Sequence, residues 1–258
     1  MWEKQLAAAI EAAELAKREI IKIYKSPFKV EYKKDKSPVT EADKNADKII
    51  RKYLSEKFPD YAFLTEETAD DKSRLHNDYV WVVDPLDGTC DFVDKNDQFT
   101  TNIALVYKHK VVVGVIIIPV TNEIYYATHL GGAFYSINGT VREIHVNRKK
   151  KDLRVLLSVS QHGKEEDKAF KKYGNLISKK EPVGAAIKAC LIAKGEAELY
   201  IRLNNHTKEW DTAAGQIIVQ EAGGIYIEPH GEPLKYNREN VVNEKGYIIA
   251  NRRKNIIY

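Results

Sequence analysis

The sequence predicts an α+β half, about residues 1 to 150, followed by an α/β half, about residues 151 to 258. The first half opens with helical periodicity and continues with short β segments separated by turn signals, a pattern typical of an antiparallel meander. After the basic stretch Arg148 to Lys151, strands and helices alternate, which favours an α/β layer. The change of pattern predicts a domain boundary at this basic stretch.

Two helices are predicted near the start of the chain. Apolar residues recur at helical spacing from residue 3 to residue 24, and Pro27 then ends the helix. The Lys-rich residues 26 to 39 are expected to form a loop or a short hairpin. Thr40 to Asp43 has the pattern of an N-terminal capping box, so a second helix is expected to begin there and to end near Lys57.

The remaining elements are predicted from apolar runs and turn residues. In the first half the predicted strands are Tyr61 to Thr65, Tyr79 to Val83, Thr101 to Lys108, Val111 to Pro119, Glu123 to Thr128 and Ala133 to Ile137. In the second half the predicted strands are Arg154 to Ser160, Glu198 to Leu203, Gly224 to Glu228 and Gly246 to Asn251, and the predicted helices are Glu165 to Ile177, Ala185 to Lys194 and Asp211 to Ala222.

Composition excludes several classes of protein. The chain is 43% hydrophobic and 30% charged, which is typical of a globular domain, and a net charge of +4 is too small for a nucleic-acid signature. Its two cysteines, Cys90 and Cys190, form no Cys-x-x-Cys pair, so we expect no structural zinc site and a reducing cytoplasm. No signal peptide is recognisable. The longest apolar run, Val111 to Val120, is about half the ~20 residues of a membrane helix.

The most informative segment is residues 81 to 89, in which a hydrophobic strand is predicted to end at Asp84. Asp87 follows three residues later, so both carboxylates are expected to reach one hard cation from a strand-end loop. Magnesium suits such a site because it takes oxygen ligands and keeps positions for water and phosphate. Gly88 and Thr89 would begin a short helix whose free N–H groups favour a phosphate oxygen. A charged β-turn is the alternative for this segment.

Two further acidic positions fit the same site. Glu66 follows a predicted strand, and Asp211 lies at the N-terminus of a predicted helix. A helix cap alone would also account for Asp211, and the capping box alone would account for Asp43.

Four separated motifs resemble the inositol monophosphatase-like superfamily of lithium-sensitive, magnesium-dependent phosphatases. They are Val39 to Asp43, Glu66 to Thr68, Asp84 to Thr89, and Trp210 to Gly215 with Glu221 to Gly224. Their order and spacing agree with the family over nearly the whole chain. The resemblance implies a layered αβαβα sandwich of the sugar-phosphatase type, with the active site between the two halves.

Within this superfamily the sequence is most similar to the bacterial-type 3′(2′),5′-bisphosphate nucleotidases. The similar segments are Asp97 to Leu105, Leu199 to Arg202, Glu209 to Asp211, and Gly231 to Asn237, which corresponds to a C-terminal hairpin. The sequence departs from that pattern at Cys90, in Ser158 to His162, which lacks an expected Arg, and in Gly184 to Ala186, which replaces Gly-Ser-Ser and is similar to the inositol enzymes.

The resemblance implies a ligand set for two Mg²⁺ ions. Glu66, Asp84 and the Leu86 carbonyl would hold the first ion, and Asp84, Asp87 and Asp211 would hold the second. A weaker third ion would lie near Glu66.

The resemblance also implies catalytic and substrate-binding residues. Thr89, hydrogen-bonded to Asp43, would orient the attacking water, with Glu66 as the third catalytic residue and Gly88 and Thr89 binding the phosphate. The candidates for substrate binding are Lys188 and Arg202, for a second phosphate, and His162, for a base. Surface charges and an exposed loop histidine are the alternatives for these three, and Cys90 is expected to be a small helix-start residue rather than a nucleophile.

Three functions remain open on the sequence alone. The leading hypothesis is conversion of adenosine 3′,5′-bisphosphate to AMP and phosphate. The alternative is an inositol-1-phosphate phosphatase, with or without activity on fructose-1,6-bisphosphate. An RNA- or transcription-associated binding protein is a third hypothesis, against which the small net charge argues. The expected partner is a small phosphorylated metabolite, with no membrane and no nucleic acid, and the family suggests a homodimer.

Overall fold

The strands of the protein form one small and two large sheets. The computed structural model describes residues 1–159 and 163–257. Its helices are α1 (Glu3–Tyr24), α2 (Glu41–Lys57), α3 (Thr89–Val93), α4 (Lys164–Lys171), α5 (Ile187–Ala193) and α6 (Glu209–Glu221). A two-stranded hairpin contains β1 (Val30–Tyr32) and β2 (Pro38–Thr40). The seven-stranded sheet contains β3 (Ala62–Thr65), β4 (Tyr79–Asp87), β5 (Thr100–Tyr107), β6 (Lys110–Ile118), β7 (Glu123–Thr128), β8 (Ala133–Ile137) and β9 (Thr140–Glu143). The five-stranded sheet contains β10 (Leu153–Ser158), β11 (Ile177–Val183), β12 (Leu199–Arg202), β13 (Ile225–Ile227) and β14 (Tyr247–Ala250).

Helices and sheets alternate in five layers. Helices α1 and α2 cover one face of the seven-stranded sheet, around a core that includes Ile20, Ile50 and Trp81. Helices α5 and α6 lie between the two large sheets in a second core, to which Ile218 belongs. Helix α4 covers the outer face of the five-stranded sheet through Phe170. This order confirms the predicted αβαβα sandwich.

Small residues explain how closely α1 packs, and a capping box explains where α2 begins. Helix α1 buries a row of alanines that lets it approach α2 and β6 closely, namely Ala8, Ala9, Ala12, Ala13 and Ala16. At the start of α2 the Thr40 N–H donates to Asp43 Oδ2 at 2.8 Å, and the Ala42 N–H donates to Thr40 Oγ1 at 3.1 Å. These bonds satisfy helix N–H groups that would otherwise lack a partner, and the predicted capping box is confirmed.

The seven-stranded sheet contains the predicted meander, but its strand β4 is longer than predicted, which matters for the site. From β4 onward each strand pairs antiparallel with the next, while β3 joins β4 in parallel. The prediction that the strand ends before Asp84 is wrong, because β4 continues to Asp87. Its register against β5 shifts between Asp84, which pairs with Asn102, and Asp87, which pairs with Thr100. This bulge redirects the side chains at the end of the strand.

The five-stranded sheet departs further from the sequence prediction. Strand β10 pairs parallel with β11 and β12, but β14 runs antiparallel between β12 and β13. The helix predicted up to Ile177 ends at Lys171, and Ile177 is instead the first residue of β11, where exposed residues such as Lys179 leave no apolar run to detect. The hairpin expected over Gly231 to Asn237 is absent, because no strand forms within that segment.

The change from one sheet to the other spans the basic stretch at residues 148 to 151. Strand β9 ends at Glu143 and β10 begins at Leu153. The division into two domains stays a prediction. Among the described residues, none of the helices combines the length and the apolar character that a membrane crossing requires.

Candidate active site

Three carboxylates from the two halves of the chain meet in one pocket. Asp84 and Asp87 come from the bulged end of β4, and Asp211 comes from the first turn of α6. One carboxylate oxygen of each lies within 4.8 Å of the other two. This spacing suits oxygen ligands that share a divalent cation.

The hydrogen bonding of the Asp84 carboxylate shows whether a cation fits this site. Its Oδ1 accepts a hydrogen bond from the Leu86 N–H at 3.1 Å, whereas its Oδ2 is buried and has no hydrogen-bond partner among the described residues. A buried carboxylate oxygen without a donor is unfavourable. A cation between Asp84, Asp87 and Asp211 would satisfy this atom, so the donor set fits a metal ion.

The raised pKa values of the three carboxylates also fit a site for a cation. Burial, together with the charges of Glu66 and Asp87, raises the pKa of Asp84 well above its usual range. Burial and the charge of Asp87 raise the pKa of Asp211 to about 8. Burial also raises the pKa of Asp87, although the Lys188 ammonium opposes this. Acidic groups that repel one another in a dry site are stabilised by a bound cation.

Asp211 and Asp43 occupy the same position in their helices, and each makes a further contact at the site. The Lys208 N–H donates to Asp211 Oδ2 at 2.5 Å, as the Thr40 N–H does to Asp43 Oδ2. Asp211 is nevertheless one of the three clustered carboxylates, and Asp43 Oδ1 accepts a hydrogen bond from the Thr89 hydroxyl at 2.9 Å. Both residues therefore cap a helix and also contact other residues of the site, and their roles in metal binding and catalysis stay predictions.

The Gly88–Thr89 segment forms the part of the pocket that was predicted to bind phosphate. Gly88 has a φ of +89°, and a Cβ there would lie 3.1 Å from the Gln98 carbonyl oxygen, so glycine suits both the conformation and the space. The Thr89 hydroxyl also lies 3.2 Å from the Leu86 carbonyl oxygen, the predicted main-chain ligand. The roles of Gly88 and Leu86 as phosphate and metal contacts stay predictions.

Glu66 lines the same pocket but is not part of the three-carboxylate cluster. Its Oε1 instead accepts a hydrogen bond from Lys33 Nζ at 2.8 Å, and Lys33 also donates to Glu67 Oε1 at 2.6 Å. Sequence reasoning missed Lys33, because nothing in the Lys-rich stretch between residues 26 and 39 distinguishes one lysine from another. The ligand and catalytic roles of Glu66 stay predictions.

The pocket lining also contains aromatic and basic residues, among them Tyr200, Arg202 and Tyr247. Arg202 on β12 donates to Asn204 Oδ1 at 3.0 Å and to the Tyr200 hydroxyl at 3.2 Å. Tyr247 on β14 pairs in register with Arg202. The alternation of β12 could have indicated that Tyr200 and Arg202 share a face, but no local signal in the sequence points to Tyr247. His206 also lines the pocket and was missed by sequence reasoning.

The remaining predicted site residues are placed as follows. Lys188 lines the pocket, and its Nζ donates to the carbonyl oxygens of Val183 at 2.9 Å and Ala185 at 2.6 Å. Cys90 lines the pocket with part of its surface exposed, and the partial burial of its thiol and then the charge of Asp91 raise its pKa, which favours the unreactive thiol. His162 lies outside the described residues.

Comparison with known proteins now identifies the family. The sequence matches the inositol monophosphatase family over residues 1–256. This chain belongs to that family. The resemblance inferred from the motifs is confirmed, and so is the enzyme class, a hydrolase of phosphate monoesters.

Individual relatives within the family are similar over nearly the whole chain. The 3′(2′),5′-bisphosphate nucleotidase CysQ of Salmonella typhimurium is 37% identical over 228 residues, which are 87% of this chain and 91% of the relative. The solved structure of CysQ from Bacteroides thetaiotaomicron superposes with a TM-score of 0.84 at 34% identity, covering 96% of this chain and 98% of the other. The solved structure of an inositol monophosphatase from Zymomonas mobilis has a TM-score of 0.80 at 27% identity, covering 99% and 96%.

Proposed function

We propose that this chain is a magnesium-dependent 3′(2′),5′-bisphosphate nucleotidase that converts adenosine 3′,5′-bisphosphate to AMP and phosphate. The observation that carries the proposal is that one pocket holds both the carboxylate cluster and the buried cations Arg202 and Lys188. A substrate with two phosphates matches such a pocket, because one phosphate would bind beside the metal ions and the other beside these cations. Relatives that carry the nucleotidase name support the same choice.

Two magnesium ions are proposed, with a weaker third near Glu66. Asp84, Asp87 and Asp211 would hold one ion, and Glu66, Asp84 and the Leu86 carbonyl would hold another. Bound magnesium supplies Lewis-acid charge for the phosphoryl oxygens and lowers the pKa of a bound water.

The protein's own contribution is to position the reacting groups. The Thr89 hydroxyl donates its proton to Asp43 Oδ1, so the lone pairs of Thr89 Oγ1 are left to accept a hydrogen bond from the attacking water. The hydrolysis forms a bond from that water to phosphorus and breaks the bond from phosphorus to the ribose 3′ oxygen, which leaves protonated. Positioning and electrostatics carry such a reaction, so no nucleophilic side chain is required.

Inositol-1-phosphate is the second candidate substrate, with fructose-1,6-bisphosphate alongside it. Ala185 and Ala186, which also line the pocket, lack the hydroxyl groups expected of the nucleotidase pattern. The RNA-binding hypothesis, the cytoplasmic location and the homodimer stay predictions.

A panel of three substrates tests the proposal. Phosphate release from adenosine 3′,5′-bisphosphate, inositol-1-phosphate and fructose-1,6-bisphosphate would be measured with magnesium and with a chelator. We expect kcat/KM to be at least about tenfold higher for the nucleotide than for inositol-1-phosphate, which has no second phosphate for Arg202 and Lys188 to bind, and to be lost with the chelator. A steep preference for inositol-1-phosphate would transfer the assignment to the second candidate.

A further inference from the structure

The first turn of α6, which carries Asp211, is held by the segment from Tyr236 to Asn243. Glu209 is the first residue of this helix and is fully buried. Its carboxylate accepts hydrogen bonds from the main-chain N–H groups of Asn237 at 2.7 Å and Arg238 at 2.9 Å, one on each oxygen. The Arg238 side chain adds an ion pair at 3.1 Å. Both oxygens of Glu209 are therefore bonded to this segment.

Further hydrogen bonds attach the N-cap of α6 to the same segment. Asn243 Nδ2 donates to the carbonyl oxygen of Lys208, the N-cap residue, at 2.8 Å. The Glu209 N–H donates to the Val241 carbonyl oxygen at 3.0 Å. The Lys208 N–H is in turn the group that donates to Asp211 Oδ2. A displacement of the segment would therefore move the start of α6 together with the Asp211 carboxylate.

A buried arginine from the first half of the chain fixes the segment itself. Arg74 is 1% exposed and lies in the short turn that precedes β4. It donates to Asn237 Oδ1 at 2.7 Å and to the Arg238 carbonyl oxygen at 2.9 Å, and Asn237 Nδ2 donates back to the Arg74 carbonyl oxygen at 3.1 Å. Asp70 pairs with its charge at 2.8 Å. The contacts thus run from the start of β4, whose far end carries two of the clustered carboxylates, to the helix that carries the third.

Burial makes this network sensitive to geometry. A buried charge is tolerated only where its partners are in place, and a fully bonded network of this kind rigidifies the elements that it joins. Neither Glu209 nor Arg74 is among the described residues that line the pocket. Their effect on the site would therefore pass through the position of Asp211.

We propose that Glu209 and Arg74 are positioning residues for Asp211, which they serve by fixing the start of α6 relative to β4. This inference rests on the metal site and the activity proposed above, and it adds residues that contact neither metal nor substrate. It also gives a role to the end of the segment from Gly231 to Asn237, which is similar to the nucleotidases although it forms no hairpin.

The test compares Glu209→Gln with Glu198→Gln in the whole chain. In both variants the amide must turn its NH₂ group toward a buried N–H donor. Glu198 is a matched control because it is also fully buried and accepts hydrogen bonds from Asn147 Nδ2 and the Arg154 N–H, each at 2.5 Å. It directly precedes β12, at the opposite end of that strand from Arg202. The melting temperature and, by isothermal titration calorimetry, the magnesium Kd are measured for both variants.

We expect both variants to lower the melting temperature but only Glu209→Gln to raise the magnesium Kd, by about 10- to 100-fold. The kcat of Glu209→Gln for adenosine 3′,5′-bisphosphate should recover at saturating magnesium, because Asp211 itself is retained.

Asn237→Gly serves if Glu209→Gln fails to fold. The φ of +56° at Asn237 suits glycine, so the change keeps the N–H that binds Glu209 and removes the side chain that binds Arg74. It too is expected to raise the magnesium Kd.

Two results would overturn the inference while leaving the proposed function intact. One is an unchanged magnesium Kd in Glu209→Gln, or in Asn237→Gly where that variant replaces it. The other is an equal rise of the magnesium Kd in Glu198→Gln, which would show that any loss of stability weakens metal binding. Wild-type protein that binds no magnesium would reject the proposed function and this inference with it.

Discussion

Two carboxylates at this site also cap helices. Asp43 caps α2 through Oδ2 while its Oδ1 accepts a hydrogen bond from Thr89, and Asp211 caps α6 while it belongs to the carboxylate cluster. The helix start fixes the carboxylate in place, so little conformational entropy remains to be lost when a ligand binds. A capping motif read from sequence therefore does not argue against a functional role for the same residue.

Asp87→Asn should abolish catalysis without harming the fold. The change removes one of the three clustered charges but keeps the size and shape of the side chain. We expect magnesium-dependent phosphate release to fall by about 100- to 1,000-fold or more. The melting temperature without metal should not fall, since a buried charge has been removed. Exposed Asp94→Asn is the matched control, and activity retained in Asp87→Asn would refute the metal assignment.

The Thr89 hydroxyl can be tested separately from the metal ligands. Thr89→Ala removes the hydroxyl that we propose orients the attacking water, so kcat at saturating magnesium is expected to fall by about 10²- to 10⁴-fold. Thr89→Ser keeps a hydroxyl and should recover most of this loss. If alanine and serine variants show equal kcat, the hydroxyl has no part in orienting water.

At the scale of elements, the sequence predicts best where one physical signal dominates. The helical spacing of apolar residues predicts α1 correctly, and the Thr40 capping box predicts the start of α2. Apolar runs between turn residues predict most of the meander. Strand β11 was missed because its exposed lysines lie at the edge of a sheet, where no apolar run is needed. The bulge after Asp84 was missed because it arises from pairing with β5, which depends on residues distant in the chain.

Site residues were likewise predicted where a local motif marks them and missed where only the tertiary fold places them. Asp84, Asp87 and Asp211 were predicted from motifs, because the chemistry of a cation site restricts residue type and spacing. Lys33 and Tyr247 were not, because only the tertiary fold brings a hairpin and a late strand to the pocket.

Helix α6 packs closely against the meander because Gly114 on β6 has no side chain. A Cβ on Gly114 would lie 2.5 Å from Ile217 Cγ2 and 2.7 Å from the Ala214 carbonyl oxygen, both on α6. Gly114→Ala should therefore push α6 away from β6 at a cost of about 1–3 kcal/mol in the free energy of unfolding. Because α6 also carries Asp211, the magnesium Kd should rise.

Gly139→Ala is a control variant that should lower the stability of the fold without changing its magnesium affinity. A Cβ at Gly139 meets no atom within 4 Å, but its φ of +81° disfavours alanine, so we expect a loss of roughly 1–2 kcal/mol. Its magnesium Kd should stay unchanged. Equal effects of the two variants on magnesium affinity would contradict the role assigned to the packing of α6.

At the scale of the whole molecule, the site exists only where the two halves meet. Strand β4 contributes Asp84 and Asp87 from one large sheet, and α6 brings Asp211 from the layer between the sheets. The repulsion between these carboxylates destabilises the metal-free fold, and a bound cation would relieve it. We therefore expect folding and metal binding to be coupled.

Thermal unfolding at two pH values tests this coupling. The pKa of Asp211 in the folded, metal-free protein is about 8, above its ordinary value of 3.8. Its contribution to stability is therefore complete below the ordinary value and is lost as the pH rises through 8. We expect the metal-free melting temperature to fall from pH 6 to pH 9 by more in the wild type than in Asp211→Asn.

Magnesium should reverse that loss. At 100 times its Kd, a ligand of the folded state stabilises it by about 2.7 kcal/mol, or about 5 to 10 °C for a chain of this size. The shift should be larger at pH 9 than at pH 6, because binding requires ionised carboxylates. A shift that is independent of pH, or equal in Asp211→Asn, would show that magnesium binds elsewhere.

The most direct measurement is anomalous X-ray diffraction from crystals of the protein soaked in manganese(II), which substitutes for magnesium at oxygen ligands. The account predicts a strong anomalous peak about 2.1 Å from carboxylate oxygens of Asp84, Asp87 and Asp211. Saturating manganese with no anomalous density between these three residues would contradict it.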